Sequence, residues 1–230
     1  RTYQAASPDE VALVKFAESV GLVLAERSMN RVVLGVPGGR FLDYQILAEF
    51  PFTSEAKRMG IIVQEMATGT ITLYVKGADT VMSKQVRYND WLDEECGNLA
   101  REGLRTLVFA KRELSQYEYT KFSERWVAAR TSQTNRKEIM SEVQAEIEHD
   151  MELLALTGVE DKLQYNVRET LEKLRHAGVR VWMLTGDKVE TATCIAVSSR
   201  LAERSQGIFS ITGVTSRTEA ARALSRFRRQ

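Results

Sequence analysis

Four short stretches carry side chains of the kinds that hold phosphorylated ligands. Thr185-Gly186-Asp187 follows the apolar run Val179 to Leu184 and precedes a helical pattern from about Lys188. A hydroxyl, a glycine open to close backbone approach and the amides of a helix N-terminus suit a phosphoryl group. Asp187 either lies near a cation or caps the helix in an ordinary tight turn. After a parallel strand, such a turn occupies the crevice where open α/β sheets bind ligands.

The segment Phe50-Pro51-Phe52-Thr53-Ser54-Glu55-Ala56-Lys57-Arg58-Met59 ends one strand pattern and leads into another. Alternation puts Leu42, Tyr44, Ile46, Ala48, Phe50 and Phe52 on one face, which makes Phe52 a core residue. Pro51 breaks the strand there, so the Phe52 ring is alternatively free to stack on a flat ligand beside a hydroxyl and two cations. Stacking of an aromatic ring on a base contributes about 1–3 kcal/mol, enough to anchor adenine. In Tyr74-Val75-Lys76-Gly77-Ala78-Asp79, Lys76 ends a strand and is either solvated or a point charge for a phosphate, with Gly77 admitting a ligand to the backbone. Arg105, in Glu102-Gly103-Leu104-Arg105-Thr106-Leu107, opens an apolar strand and is either half of an ion pair or a fork for phosphate oxygens. Glu10 is already accounted for by a capping box with Ser7.

The elements that must position these residues are readable in outline. Ser7-Pro8-Asp9-Glu10 starts an amphipathic helix that ends at Gly21. Strand patterns follow at 22–24, 31–36, 41–50, 60–64 and 70–76, with Pro37-Gly38-Gly39 and Thr68-Gly69 as turns, which predicts a largely antiparallel sheet. Helices are expected near 79–86 and 90–101, a strand over 104–111, and a charged helical region from Ser115 to about Met151. Beyond Met151, the runs Leu153 to Thr157 and Val179 to Leu184 flank a helix ending at Gly178, a pattern that predicts two parallel strands in a right-handed crossover. The fold class expected is therefore α/β. An antiparallel α+β domain over 1–152 is followed by an incomplete Rossmann-like parallel sheet over 153–230.

Composition narrows the functional classes. The chain has 230 residues, with 32 Lys+Arg against 31 Asp+Glu and a net charge of +1, which argues against a dedicated nucleic-acid binder. Hydrophobic residues at 43% and charged residues at 27% are ordinary globular values and exclude a disordered chain. The longest stretch without Asp, Glu, Lys or Arg is the 12 residues Ser205 to Ser216, too short for a spanning helix. Cys96 and Cys194 are far apart and lack metal or disulfide spacing, which fits a reducing, cytosolic setting. His149 and His176 lie in helical stretches away from any ligand cluster, so no metal site is expected. The basic stretch Arg217 to Gln230 is a solvated amphipathic helix or, alternatively, a contact for an anionic surface. The start at Arg1 and the absence of a signal peptide suggest an excised piece of a longer protein.

Taken together and in order, these stretches resemble the P-type ATPases, specifically the P4 group of phospholipid flippases. The resemblance rests on Ala6-Ser7-Pro8-Asp9-Glu10-Val11-Ala12-Leu13-Val14, Phe50-Pro51-Phe52-Thr53-Ser54 with Lys57-Arg58-Met59, Tyr74-Val75-Lys76-Gly77-Ala78-Asp79, Glu102-Gly103-Leu104-Arg105-Thr106-Leu107, Gly158-Val159-Glu160-Asp161 and Trp182-Met183-Leu184-Thr185-Gly186-Asp187-Lys188 with Glu190-Thr191-Ala192. It covers residues 3 to about 200, and the wording Asn89-Asp90-Trp91-Leu92 and Glu95-Cys96-Gly97-Asn98 resembles the Golgi and endosomal branch.

The resemblance implies a cytosolic nucleotide-binding domain over 1–152 and part of a phosphorylation domain after it, from a multi-pass membrane protein. It implies ATP contacts at Glu10, Phe52 (against adenine), Ser54, Lys57, Lys76, Arg105 and Thr106, and contact with the transferred phosphoryl at Thr185, Gly186 and Asp187. It further implies ATP and Mg2+ as cofactors and an aminophospholipid moved to the cytosolic leaflet. Thr53 stands where many flippases have asparagine. The family's Asp-Lys-Thr-Gly-Thr and Gly-Asp-Gly-x-Asn-Asp segments do not occur in this sequence, so the polypeptide alone is not expected to form an aspartyl phosphate. A cation-transporting P-type pump and a soluble nucleotide-sensing module remain the alternatives.

Overall fold

The computed structural model describes residues 2–5, 7–160, 162–203 and 207–227, the side chains of 226 and 227 aside. The chain divides into two compact units, one of residues 1–99 with 106–159 and the other of 100–105 with 160–230.

The first unit begins with helix α1, Pro8–Ser19, where Ser7 accepts a bond from the Glu10 amide and Pro8 occupies the first turn. Six strands follow as a meander: β1 Val23–Arg27, β2 Arg31–Val36, β3 Arg40–Phe50, β4 Arg58–Glu65, β5 Ile71–Gly77 and, after two short helices, β6 Leu104–Leu114. The helices are α2 Asp79–Met82 and α3 Leu92–Arg101. The predicted helical region after Ser115 forms as two helices, α4 Gln116–Thr131 and α5 Arg136–Ala145, broken at Asn135, whose φ of 50° no helix accommodates. Strand β7, Glu152–Glu160, completes a seven-stranded sheet in sequence order. Each neighbouring pair from β1 through β6 runs antiparallel.

Here one expectation fails. The run from Leu153 was read as the first strand of a parallel sheet, yet β7 lies beside β6. Thr157 Oγ1 donates to the Leu107 carbonyl at 3.3 Å, and Lys111 Nζ lies 3.5 Å from Glu152. The two contacts run in opposite directions along the strands, as an antiparallel pair requires. Short apolar runs look alike in parallel and antiparallel strands, so the sequence pattern alone did not fix the partner.

One face of the sheet is packed by helices. Phe50, Ile62, Leu73, Val75, Val108 and Ala110 meet Met82 of α2, Leu92 and Cys96 of α3, Phe122 and Trp126 of α4, and Val143 of α5. Phe50 stands edge-on to Trp126 at 5.0 Å and to Phe122 at 6.0 Å. The opposite face, with Tyr74, Lys76 and Phe109, is more open. Alternation thus builds the core on one side and leaves a more open surface on the other.

The second unit holds helices α6 Val167–His176, α7 Val189–Ser198 and α8 Arg217–Phe227. Residues 179–184 form no strand, contrary to the expected parallel crossover. Val179, Val181, Trp182 and Leu184 are all exposed, Leu184 at 95%. A parallel strand needs neighbours on both sides and cover on both faces, and no strand of this unit among the described residues pairs with the run. The expected Rossmann-like sheet is therefore not seen among the described residues. Residues 100–105 dock on α7: Gly103, at φ +84°, leaves space that a Cβ would close to 2.7 Å from Cys194 Sγ, and Thr191 Oγ1 donates to the Leu104 carbonyl. No helix among the described residues is long and apolar enough to cross a membrane. The end of the basic stretch from Arg217 to Gln230 lies outside the described residues.

Phe50→Ala should empty the aromatic corner and lower stability by about 3–5 kcal/mol. Phe52→Ala removes an exposed ring and should change stability by less than about 0.5 kcal/mol. Urea unfolding followed by circular dichroism separates the two. A second expectation concerns α4, where Ser115 and Glu118 form a complete capping box. Bonds from Ser115, backbone first and hydroxyl second, hold the Glu118 carboxyl below the usual glutamate range. The cap's contribution is then fully present above the unfolded value and fades as pH falls through the lower folded one. Ser115→Ala should cost about 0.5–2 kcal/mol near neutral pH, and its deficit should shrink in unfolding curves recorded at about pH 3.

Candidate functional site

The open face of the first unit carries a cleft of about 670 Å³ lined by β3, β4, β5, β6 and β7. Glu49, Phe50 and Pro51 come from the end of β3, Met59 to Ile61 from β4, Tyr74 to Lys76 from β5, Phe109 and Ala110 from β6, and Leu154 from β7, with Arg27 at the rim. The lining is mostly apolar, with one inward ammonium, a combination suited to a flat ring bearing a negative tail.

Lys76 is the charged centre of this cleft. Its side chain is only 17% exposed, and Nζ lies 2.7 Å from Glu10 Oε1 and 5.7 Å from the Phe109 ring centroid. The solvated-lysine reading is therefore excluded. Glu10 also departs from expectation: Ser7 accepts from its amide, but its carboxylate reaches Lys76, so only half of the capping box forms. An ammonium between a carboxylate and an aromatic face is held aimed into the cleft, ready to exchange one anionic partner for another.

The turn bearing Phe52, Ser54 and Lys57 is attached to the same end of the sheet. Strand β3 stops at Phe50 because Pro51 has no amide to donate. Phe52 is then 60% exposed, which overturns its reading as a core residue; Phe50 is the buried ring, at 2%. The bulge between Ile46 and Ala48 shifts the face of the later residues in β3, a change that simple alternation missed. The Thr53 carbonyl accepts from the Lys57 amide at 2.9 Å and its hydroxyl from the Ala56 amide at 3.1 Å. Asparagine can make the same side-chain turn bond, so threonine here preserves the loop. Lys57 takes φ 50° to enter β4, and its carbonyl accepts from the Ala78 amide at 3.0 Å. Met59 pairs with Lys76 and Arg58 with Gly77. Phe52, Ser54 and Lys57 themselves are exposed, and Lys76 alone among the ten expected residues lines the cleft directly. Thr106 is half-buried on β6, beyond the Val108–Gly77 pair that ends the β5 ladder.

Thr185, Gly186, Asp187 and Arg105 form a separate group within the second unit. Arg105 Nε lies 3.2 Å from Asp187 Oδ1, and the Thr185 hydroxyl donates to Asp187 Oδ2 at 2.9 Å while accepting from the Asp187 amide at 3.1 Å. Arg105 is thus in an ion pair, one of its two readings. Lys188 occupies the N-cap of α7 and makes no side-chain capping bond, so Asp187 does not cap the helix. Gly186 has nothing within 4 Å of its ideal Cβ, which leaves its backbone open to a ligand.

Sequence reasoning did not single out Tyr74 as a ligand contact, nor Phe109 or Leu154. Phe109 was findable, since it pairs with Lys76 across β5 and β6. Leu154 was not, because it reaches the cleft only when β7 joins the antiparallel sheet.

Residues 2–166 match the family described as P-type ATPase, cytoplasmic domain N. All 230 residues align at 57% identity with the probable phospholipid-transporting ATPase IIB of Danio rerio, covering 20% of that protein. The whole chain is 55% identical to the probable phospholipid-transporting ATPase tat-5 of Caenorhabditis elegans, over 22% of its length. Some 93% of the chain aligns at 53% identity with the phospholipid-transporting ATPase NEO1 of Saccharomyces cerevisiae, over 19% of that protein. The chain spans about a fifth of the length of these relatives. A meander sheet with a lysine-centred cleft and a family match over most of the sequence lead to one conclusion: the chain belongs to the P-type ATPases, as their cytoplasmic domain N and the segment that follows it.

Proposed function

We propose that the first unit binds ATP for a phospholipid-transporting P-type ATPase of the P4 group. The observation that carries this reading is the cleft around Lys76, bordered by the Phe52 turn, in a chain of this family. Adenine stacks on the Phe52 ring, Ser54 and Lys57 face the nucleotide from the same turn, and Lys76 exchanges Glu10 for phosphate oxygens. Glu10 and Thr106 complete the contacts around the nucleotide. In the second unit, Thr185, Gly186 and Asp187 contact the transferred phosphoryl group, and Arg105 supplies positive charge beside them. The sheet unit acts as the nucleotide-binding domain and the other as part of the phosphorylation domain.

In the whole protein, the cycle of phosphorylation and dephosphorylation would move an aminophospholipid toward the cytosolic leaflet, at Golgi or endosomal membranes. The phospholipid-transporting ATPases to which the chain is similar support a phospholipid cargo. The family also implies Mg2+, which supplies charge neutralisation on the phosphates. Among the described residues no three or more His, Cys, Asp or Glu side chains gather as a metal cage; Mg2+ bound with a nucleotide is usually held by phosphates, water and one or two carboxylates.

The chain should bind ATP measurably by titration calorimetry. Phe52→Ala should lose about 1–3 kcal/mol of that binding, and unchanged affinity would remove Phe52 from the site. Lys76→Ala should weaken ATP by more than it weakens adenosine; equal losses for both would contradict a phosphate contact.

A further inference from the structure

Arg58 is not among the residues assigned to nucleotide. Its side chain is 13% exposed and points away from solvent toward Glu148, which is fully buried, at 0%. Arg58 Nε and Nη2 each lie 2.7 Å from Glu148 Oε2. Gln144 Nε2 donates to the other oxygen, Oε1, at 2.7 Å. The remaining arm of the fork, Nη1, donates to the Ala56 carbonyl at 3.2 Å. Both carboxylate oxygens are thereby used, and the guanidinium ties the turn after α5 to the backbone of the 53–57 turn, 90 residues away in sequence.

We propose that Arg58, locked by Glu148 and Gln144, is a positioning residue that presents the Phe52 ring to the nucleotide. The inference rests on the proposed ATP reading of the cleft. Ala56 and Lys57 are the residues through which the chain reverses between Phe52 and β4. Their carbonyls are held at two points, by Arg58 Nη1 and by the Ala78 amide. Releasing the first leaves the turn with its internal Thr53 bonds and its tie at the β5 side, and an exposed ring on a loosened turn must be ordered at binding, which weakens affinity. A planar fork is needed because one side chain must serve a carboxylate and a carbonyl at once; lysine carries the charge without that geometry. A buried ion pair is by itself weak evidence for a gain in stability, whereas a role in fixing one conformation explains its retention.

The test uses the 230-residue chain with Arg58→Lys and, as a second variant should that one fold poorly, Glu148→Gln. Hydrogen exchange over residues 51–57 reads the latch without nucleotide. Exchange there should accelerate at least about tenfold in either folded variant while that of β5 stays unchanged; equal exchange in wild type and variants overturns the latch. Titration with ATP then reads its consequence. Arg58→Lys should bind about tenfold more weakly, and should cause no further loss in a Phe52→Ala background, because both changes act through the same ring. Additive losses would show that Arg58 acts elsewhere and overturn the proposal. Wild-type chain that fails to bind ATP would instead refute the nucleotide reading, with the exchange result still deciding the latch.

Discussion

The first unit depends on a close approach that only glycine permits. At Gly77, a Cβ would lie 2.6 Å from Arg58 Cβ and 2.8 Å from the Lys57 carbonyl oxygen, far inside contact distance. Without that Cβ, the exit of the 53–57 turn lies against the end of β5, and the Lys57 carbonyl meets the Ala78 amide. A residue of any other type would push the turn away from Lys76, one position earlier in the strand. The antiparallel ladder fixes which residues share the cleft, and this contact fixes where the loop beside it sits.

Charge is arranged in the same spirit. Three cations of the two units have a carboxylate at hand: Lys76 has Glu10, Arg58 has Glu148, and Arg105 has Asp187. The three pairs differ in what burial makes of them. Arg58 and Glu148 are sealed and serve geometry; Lys76 and Glu10 sit partly open at a cleft, where an incoming anion can compete. Arg105, at 39% side-chain exposure, is open to such exchange as well. A shielded pair holds its shape, while an accessible one can change partners.

Much of the meander was legible because antiparallel strands with turns between them leave strong local signals. Pro37-Gly38-Gly39 and Thr68-Gly69 mark their hairpins, and Ser7-Pro8 marks the start of α1. Phe50 and Phe52 were harder, since alternation counts both inward; the break at Pro51, which ends β3 at Phe50, sorts them into core and surface. Glu148 was invisible, because its partner is decided by the packing of α5 and not by any spacing. The run Val179 to Leu184 misled for the opposite reason. Its apolar pattern states what such a strand requires, namely cover and neighbours, and those are not provided by the described residues around it. The candidate site was thus readable as residue types, while the grouping of Glu10 with Lys76, and of Arg105 with Asp187, became evident only from the fold.

The proposed nucleotide site joins the 52–59 turn to the end of β5. Amide chemical-shift mapping of the isotope-labelled chain, titrated with a non-hydrolysable ATP analogue, addresses it most directly. The largest shifts should fall together on residues 52–59 and 74–78, saturating with a single binding constant. Shifts confined to one of these segments, or scattered over the α4 and α5 side of the sheet, would contradict it.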